Sequence, residues 1–248
     1  MQSLTSVEKA VDVLFHLHAA PRPVGVTQLG RALGLPKSSA HRLLASLVRR
    51  GLVQQDEHGA YEPGFGLVAL GLGAQDREPL VAAARAALES EARATGETVF
   101  LVAARARSLV VLDKVEGTGF LRASPRVGSE VPVHATAVGK LFLAFGDGAV
   151  TAGEPLEQFT AHTPATASEL ARAVERARSE GTATSHEEWI PGLSVLAAPI
   201  SVRGCLRGAL ALGAPAPRLD AQREPALRAR VRAAAEYVAG RLAGTRHD

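Results

Sequence analysis

Two short segments on either side of Gly34-Leu35-Pro36 restrict the N-terminal fold more than any other feature of the sequence. In the first, Leu29, Ala32 and Leu33 recur at helical spacing, which predicts a short helix capped by Thr27 and ended by Gly34 in a left-handed turn. In the second, Pro36 suits the first turn of another helix. That helix, PKSSAHRLLASLVRR, sets Ala40, Leu43, Leu44, Leu47 and Val48 on one face, and Ser38, His41, Arg42, Ala45 and Arg49 away from it. Two short helices joined by a glycine turn, the second with a small, polar and basic outer face, match a helix-turn-helix that enters a DNA major groove. From Thr27 to Gln55 there are five basic residues and no acidic one, so the local field is positive although the 248-residue chain carries only +3. An ordinary helical bundle with a solvated basic face fits the same residues.

The flanking sequence extends this pattern. Thr5-Ser-Val-Glu8 is a capping box, and AAPRPVG ends the helix that it starts. GLVQQDEHGAYEP predicts a β-hairpin wing turning at Gly59. GFGLVALGLG is glycine-rich enough to predict a joint between domains, and Pro79 to Thr95 an Ala-rich amphipathic helix, ended by Gly96, that serves as linker or pairing surface. Beyond it, ETVFLVAAR and SLVVLDKVEG predict paired strands. A second capping box at Thr166–Glu169 predicts a helix to about Glu180, LSVLAAPI and CLRGALALG late strands, and Asp220 a final helix to about Ala243. Strand pairs and helices without regular alternation indicate an α+β domain.

The sequence excludes several classes. No run of about 18 apolar residues and no secretory-type N-terminus occurs, so a cytoplasmic protein without membrane association is expected. The single cysteine, Cys205, excludes an internal disulfide, and the histidines show no zinc spacing. Neither metal nor cofactor is expected.

VPVHATAVGK, residues 131–140, ends in the Gly-Lys of a phosphate-binding loop. Such a loop needs a glycine five residues before Gly139 and a hydroxyl after Lys140, and those positions hold His134 and Leu141. Read instead as a helix start near Thr136, the segment offers the free amides of Ala137 and Val138 to a carboxylate or carbonyl oxygen. Lys140 is expected to hold that helix against a loop, and His134 to be packed and hydrogen-bonded.

Three stretches in this order, LGLPKSSAHRLLASLVRRGLV, RVGSEVPVHATAVGKLFLAF and HEEWIPGLSVLAAPI, followed by ALALGAP, resemble the IclR family of bacterial transcriptional regulators over nearly the whole chain. The resemblance implies a winged helix-turn-helix over residues 1–73, a linker helix over 74–95 and a GAF-like (profilin-like) effector-binding domain over 96–248. It also implies homodimers or dimers of dimers (homotetramers), with an operator in double-stranded DNA and a small-molecule effector as partners. In family members that bind small oxoacids, the polar ligands fall at positions that here are Ser185, Val195, Ala211 and Gly213. There the family commonly has an acidic or similar polar group, a cysteine and two serines. The apolar wall maps to Phe120, Ala123 and Val131. With three polar anchors missing, the resemblance points to an apolar or aromatic effector.

Lys37, Ser38, Ser39, His41 and Arg42 are the candidate DNA contacts. Two other functions remain open on the residues alone. One is a constitutive DNA-binding protein whose second domain is collapsed or only oligomerises. The other is an enzyme using Lys140, His134, Glu187 or Glu188, for which the sequence supplies no nucleophile motif; the adjacent Glu187 and Glu188 are more simply solvated or capping.

Overall fold

Thr5 and Glu8 form the reciprocal box that the sequence predicts: the Thr5 hydroxyl accepts from the Glu8 amide at 3.2 Å, and the Glu8 carboxylate accepts from the Thr5 amide at 2.6 Å. It starts α1 (Ser6–Ala19). The computed structural model describes residues 5–75, 77–119 and 125–244, and divides into two units, Met1–Arg77 and Glu78–Asp248.

In the first unit, α2 (Val26–Ala32) and α3 (Lys37–Arg49) follow α1. Gly25 rather than Thr27 caps α2, without a side-chain hydrogen bond. Gly30 permits the tight crossing: a Cβ there would lie 2.9 Å from the Leu35 carbonyl oxygen, and the Leu35 amide donates to the Gly30 carbonyl at 2.8 Å. Gly34 turns the chain at φ +61°. The inner stripe of α3 is Ala40, Leu44 and Leu47; Leu43 is half-buried, and Val48, expected inside, is 37% exposed. A three-residue stripe at i, i+4 and i+7 already covers the face that meets α1 and the wing, and Val48 lies beyond its edge. The wing is the antiparallel pair β1 (Val53–Gln55) and β2 (Tyr61–Pro63), whose Val53 and Tyr61 complete the core with Val13, Leu17 and Leu29.

The expected joint is a helix, α4 (Phe65–Gln75). Its first glycines serve contact: a Cβ at Gly64 or Gly66 would stand 2.5 or 2.7 Å from the Gly51 carbonyl oxygen, and the Gly66 amide donates to that oxygen. No residue of α4 is buried, and Phe65, Val68, Leu70 and Leu72 are exposed.

In the second unit, β3 (Thr98–Arg105), β4 (Ser108–Val115), β5 (Glu130–Val131), β6 (Ala183–His186), β7 (Leu193–Val202) and β8 (Cys205–Pro215) form one antiparallel sheet in the order β5-β4-β3-β8-β7-β6. α5 (Pro79–Thr95) and α8 (Glu224–Gly244) cover one face, and α6 (Ala137–Phe145) and α7 (Ala167–Glu180) lie on the other side. Side chains alternate between the faces with period two. Leu101, Leu196, Leu210 and Leu212 meet α5 and α8, while Phe100, Val102, Ala197, Ala209 and Ala211 meet the α6 side.

Leu80, Val81, Ala84, Ala87, Leu88 and Ala92 are buried in the sheet core, so Pro79–Thr95 is a structural helix of this unit. Its alanines let it lie close to α8. α8 begins at Glu224, because the Asp220 carboxylate takes the amides of Gln222 and Arg223 in a preceding turn. Among the described residues, no helix is long and apolar enough to cross a membrane, and no His, Cys, Asp and Glu group could hold a metal ion.

Candidate functional site

On the α6 side of the sheet, strand register joins candidates far apart in sequence. Ser185 pairs with Val195 and Val195 with Gly213, so the three form one cross-strand row. In the next row on that face, Ala197 pairs with Ala211 and Ala211 with Phe100. Above lies a cavity of about 560 Å³. Val131, Val138 and Val195 line it, as do Phe100, Trp189 and Leu193, which sequence reasoning missed. Ser185, Ala211 and Gly213 share the sheet face but are not in the described lining. Phe120 and Ala123 lie outside the described residues.

α6 meets the cavity at its N-terminus. The Thr136 hydroxyl donates to the Pro132 carbonyl at 2.6 Å and accepts from the Gly139 amide at 3.1 Å, fixing the first turn. The amides of Ala137 and Val138 have no hydrogen-bond acceptor among the described residues; Val138 lines the cavity, and Ala137 is buried in the core. Gly139 lies against the Val133 backbone, so the Gly-Lys pair has a packing origin. Arg126, Ser129 and Thr136 supply the polar lining, and Arg126 is the charged residue among the described ones.

Lys140 is 3% exposed and is not among the described residues that line the cavity. Its ammonium donates to the Thr184 carbonyl at 3.0 Å and to the Glu188 carboxylate at 2.5 Å, tying α6 to β6 and to the segment after it. Burial pushes the Lys140 pKa down, against the pull of Glu188. Glu188 is therefore not solvated as the sequence suggested. Glu187, at φ 54°, accepts the Gly192 amide at 2.6 Å and so caps its own loop. That loop supplies Trp189, Ile190, Pro191 and Gly192 to the cavity wall. From the other side, the hydroxyls of Thr160 and Thr163 donate to the carbonyls of Glu187 and Glu188 at 2.7 and 2.5 Å.

His134 is buried; its Nε2–H donates to the Glu157 carbonyl at 2.7 Å, and the ring stacks on Phe159. Each group considered for acid–base chemistry is thus held in a structural bond.

In the first unit, Lys37, Ser38, His41 and Arg42 are exposed on α3 and Ser39 is half-buried. The Arg42 guanidinium has no partner among the described residues, and Ser46 bonds back to the Arg42 carbonyl instead.

Residues 6–57 match the IclR helix-turn-helix domain, and residues 73–239 the bacterial transcriptional regulator IclR C-terminal domain. The chain belongs to the IclR family. This IclR-family chain is similar to the HTH-type transcriptional regulator XynR of Escherichia coli, 32% identical over 205 residues and 81% of each chain. It is 30% identical over 253 residues, 99% of each chain, to the glycerol operon regulatory protein of Streptomyces coelicolor. A solved IclR transcriptional regulator from Alicyclobacillus acidocaldarius superposes with a TM-score of 0.85 at 26% identity, over 98% of this chain and 100% of that one. An IclR homologue from Microbacterium hydrocarbonoxydans, complexed with 4-hydroxybenzoate, shares the fold with a TM-score of 0.82 at 22% identity, over 97% and 100%. These relatives are transcriptional regulators, not enzymes, and the IclR-family chain is a DNA-binding regulator whose partner is a DNA operator.

Proposed function

We propose that this regulator responds to an apolar or aromatic acid bound in the sheet–α6 cavity, and that it engages its operator as a homodimer through α3. The observation that carries the effector reading is the cavity: about 560 Å³, with walls of Phe100, Val131, Val195 and Trp189. A cavity of this volume is in the range of drug-sized ligand sites. A short oxoacid leaves much of it unfilled and finds no side-chain donor at Val195, at a cost of about 1–3 kcal/mol for each unsatisfied polar group. An aromatic acid fills more of the apolar space, and its carboxylate is matched by the Val138 amide and by the charge of Arg126. The Microbacterium homologue's 4-hydroxybenzoate belongs to the same ligand class. The open cavity also argues against a collapsed, purely oligomerising sensor.

For DNA, Lys37, Ser38, Ser39, His41 and Arg42 occupy the first two turns of α3, the part of a recognition helix that reaches base edges and phosphates. One such helix reads too few base pairs, so two copies are required. Val7, Val11 and Phe15, exposed at a spacing of four on α1, and the exposed apolar residues of α4 support self-association. Calorimetry with glyoxylate, pyruvate, benzoate and 1-naphthoate tests the effector reading. Binding of the aromatic acids alone is expected; tight glyoxylate binding, or no binding by any of the four, overturns it.

A further inference from the structure

The cavity wall from Glu187 to Gly192 is an irregular segment carrying a functional side chain, and its path is backbone-expensive. Glu187 adopts φ 54° and Gly192 φ 77°; the first is a left-handed conformation in a residue with a Cβ. Such a path persists when its surroundings over-determine it. Its anchors from Thr160, Thr163 and the Gly192 amide come from neutral donors. The exception is Lys140–Glu188, an ion pair with side chains 4% and 13% exposed. Burying two charges costs several kcal/mol per ion before their attraction is counted, and well-packed apolar residues often do as well for stability.

The pair sits at an informative place. Glu188 points to Lys140, and the next residue, Trp189, lines the cavity, so the anchor on Glu188 acts on the stretch of backbone that places Trp189. Lys140 also donates to the Thr184 carbonyl on β6, so its ammonium is fixed to the sheet as well as to α6. We propose that the Lys140–Glu188 pair is a positioning element for ligand selection, holding Trp189 against the cavity so that aromatic ligands find a formed wall. This rests on the effector reading above for the ligand, but not for the placement of Trp189.

The chain contains a single tryptophan, so fluorescence excited at wavelengths too long for its two tyrosines to absorb reports Trp189 alone. The test compares the full-length parent with Lys140→Met/Glu188→Leu, which removes both charges without leaving one buried, and with the milder Lys140→Gln/Glu188→Leu, which does the same and keeps a donor for the Thr184 carbonyl. Both variants are expected to keep the parent's circular dichroism, while Trp189 emission shifts to the red and acrylamide quenching rises. Affinity for 1-naphthoate should fall about tenfold, the size of one well-formed aromatic contact, with a smaller loss for hexanoate. Parent-like emission and quenching in a folded variant overturn the proposal. If the Met/Leu variant does not fold, Lys140→Gln/Glu188→Leu decides by the same fluorescence comparison. If the parent binds no naphthoate, the effector reading fails while the fluorescence comparison still decides the positioning role.

Discussion

A Cβ placed on Gly139 would stand 1.8 Å from the carbonyl oxygen of Val133. The neighbour is backbone, so an added methyl must push α6 away from the loop that leads into it. Gly139→Ala is therefore expected to destabilise the protein by about 3 kcal/mol, the upper end of ordinary overpacking, in urea unfolding. Gly240 in α8, with no atom within 4 Å of an added Cβ, is the contrast: Gly240→Ala should gain about 0.5–1 kcal/mol. Equal effects at the two sites would refute the packing account of the Gly-Lys pair.

Arg42 is exposed on α3, and its guanidinium has no partner among the described residues. Arg42→Ala should weaken operator binding by about 1–3 kcal/mol if it reads a base. If it meets a phosphate, the salt dependence should become shallower by about one charge. Electrophoretic mobility shifts across a salt series separate the two, and unchanged binding shows that Arg42 touches neither.

Leu70 on α4 and Val11 on α1 are 63% and 42% exposed. Leu70→Glu and Val11→Glu are expected to shift sedimentation from dimer to monomer at micromolar concentration while leaving helical content nearly unchanged. An unaltered dimer would place the contact on other surfaces.

Glu97 is 1% exposed, with Arg218 at 3.3 Å and Arg223 at 3.9 Å. Burial raises its carboxyl above the ordinary range, and the two arginines oppose that rise without cancelling it. A raised pKa means that the folded state holds the proton more tightly than the unfolded chain. This contribution is present below the usual carboxylate range and is lost as pH rises through the raised value. Glu97→Gln should therefore melt at or above the parent temperature at pH 8, with its advantage over the parent shrinking toward pH 4. A variant that is less stable at pH 8 would show that the arginine contacts outweigh burial.

The sequence exposed those elements whose physics is local. Thr5/Glu8 and Thr166/Glu169 signal their helices because a capping box is written within four residues, and both boxes form. α4 was illegible because glycines at 64, 66, 71 and 73 argue against a helix, whereas two of them exist for a contact with Gly51 that no local pattern records. α5 looked like a free amphipathic helix because its burial comes from a sheet and a helix formed much later in the chain. At the cavity, Val131 and Val195 were within reach of the resemblance, and Val138 followed from reading Thr136 as a helix start. Phe100, Arg126 and Trp189 needed the sheet register and the Glu187–Gly192 loop, although a lone tryptophan beside Pro191 and Gly192 was an available signal.

The two faces of β7 and β8 divide labour in a way that bears on how such a protein can change over generations. Leucine and isoleucine side chains fill the α5–α8 side, while Ala197, Ala209 and Ala211 face α6. Because neighbouring positions on a strand point to opposite faces, a change at Val195, which lines the cavity, leaves Leu196 and the α5–α8 core in place. Mutational drift thus has a direction of low resistance: the cavity lining can diversify among descendants whose folding machinery stays the same.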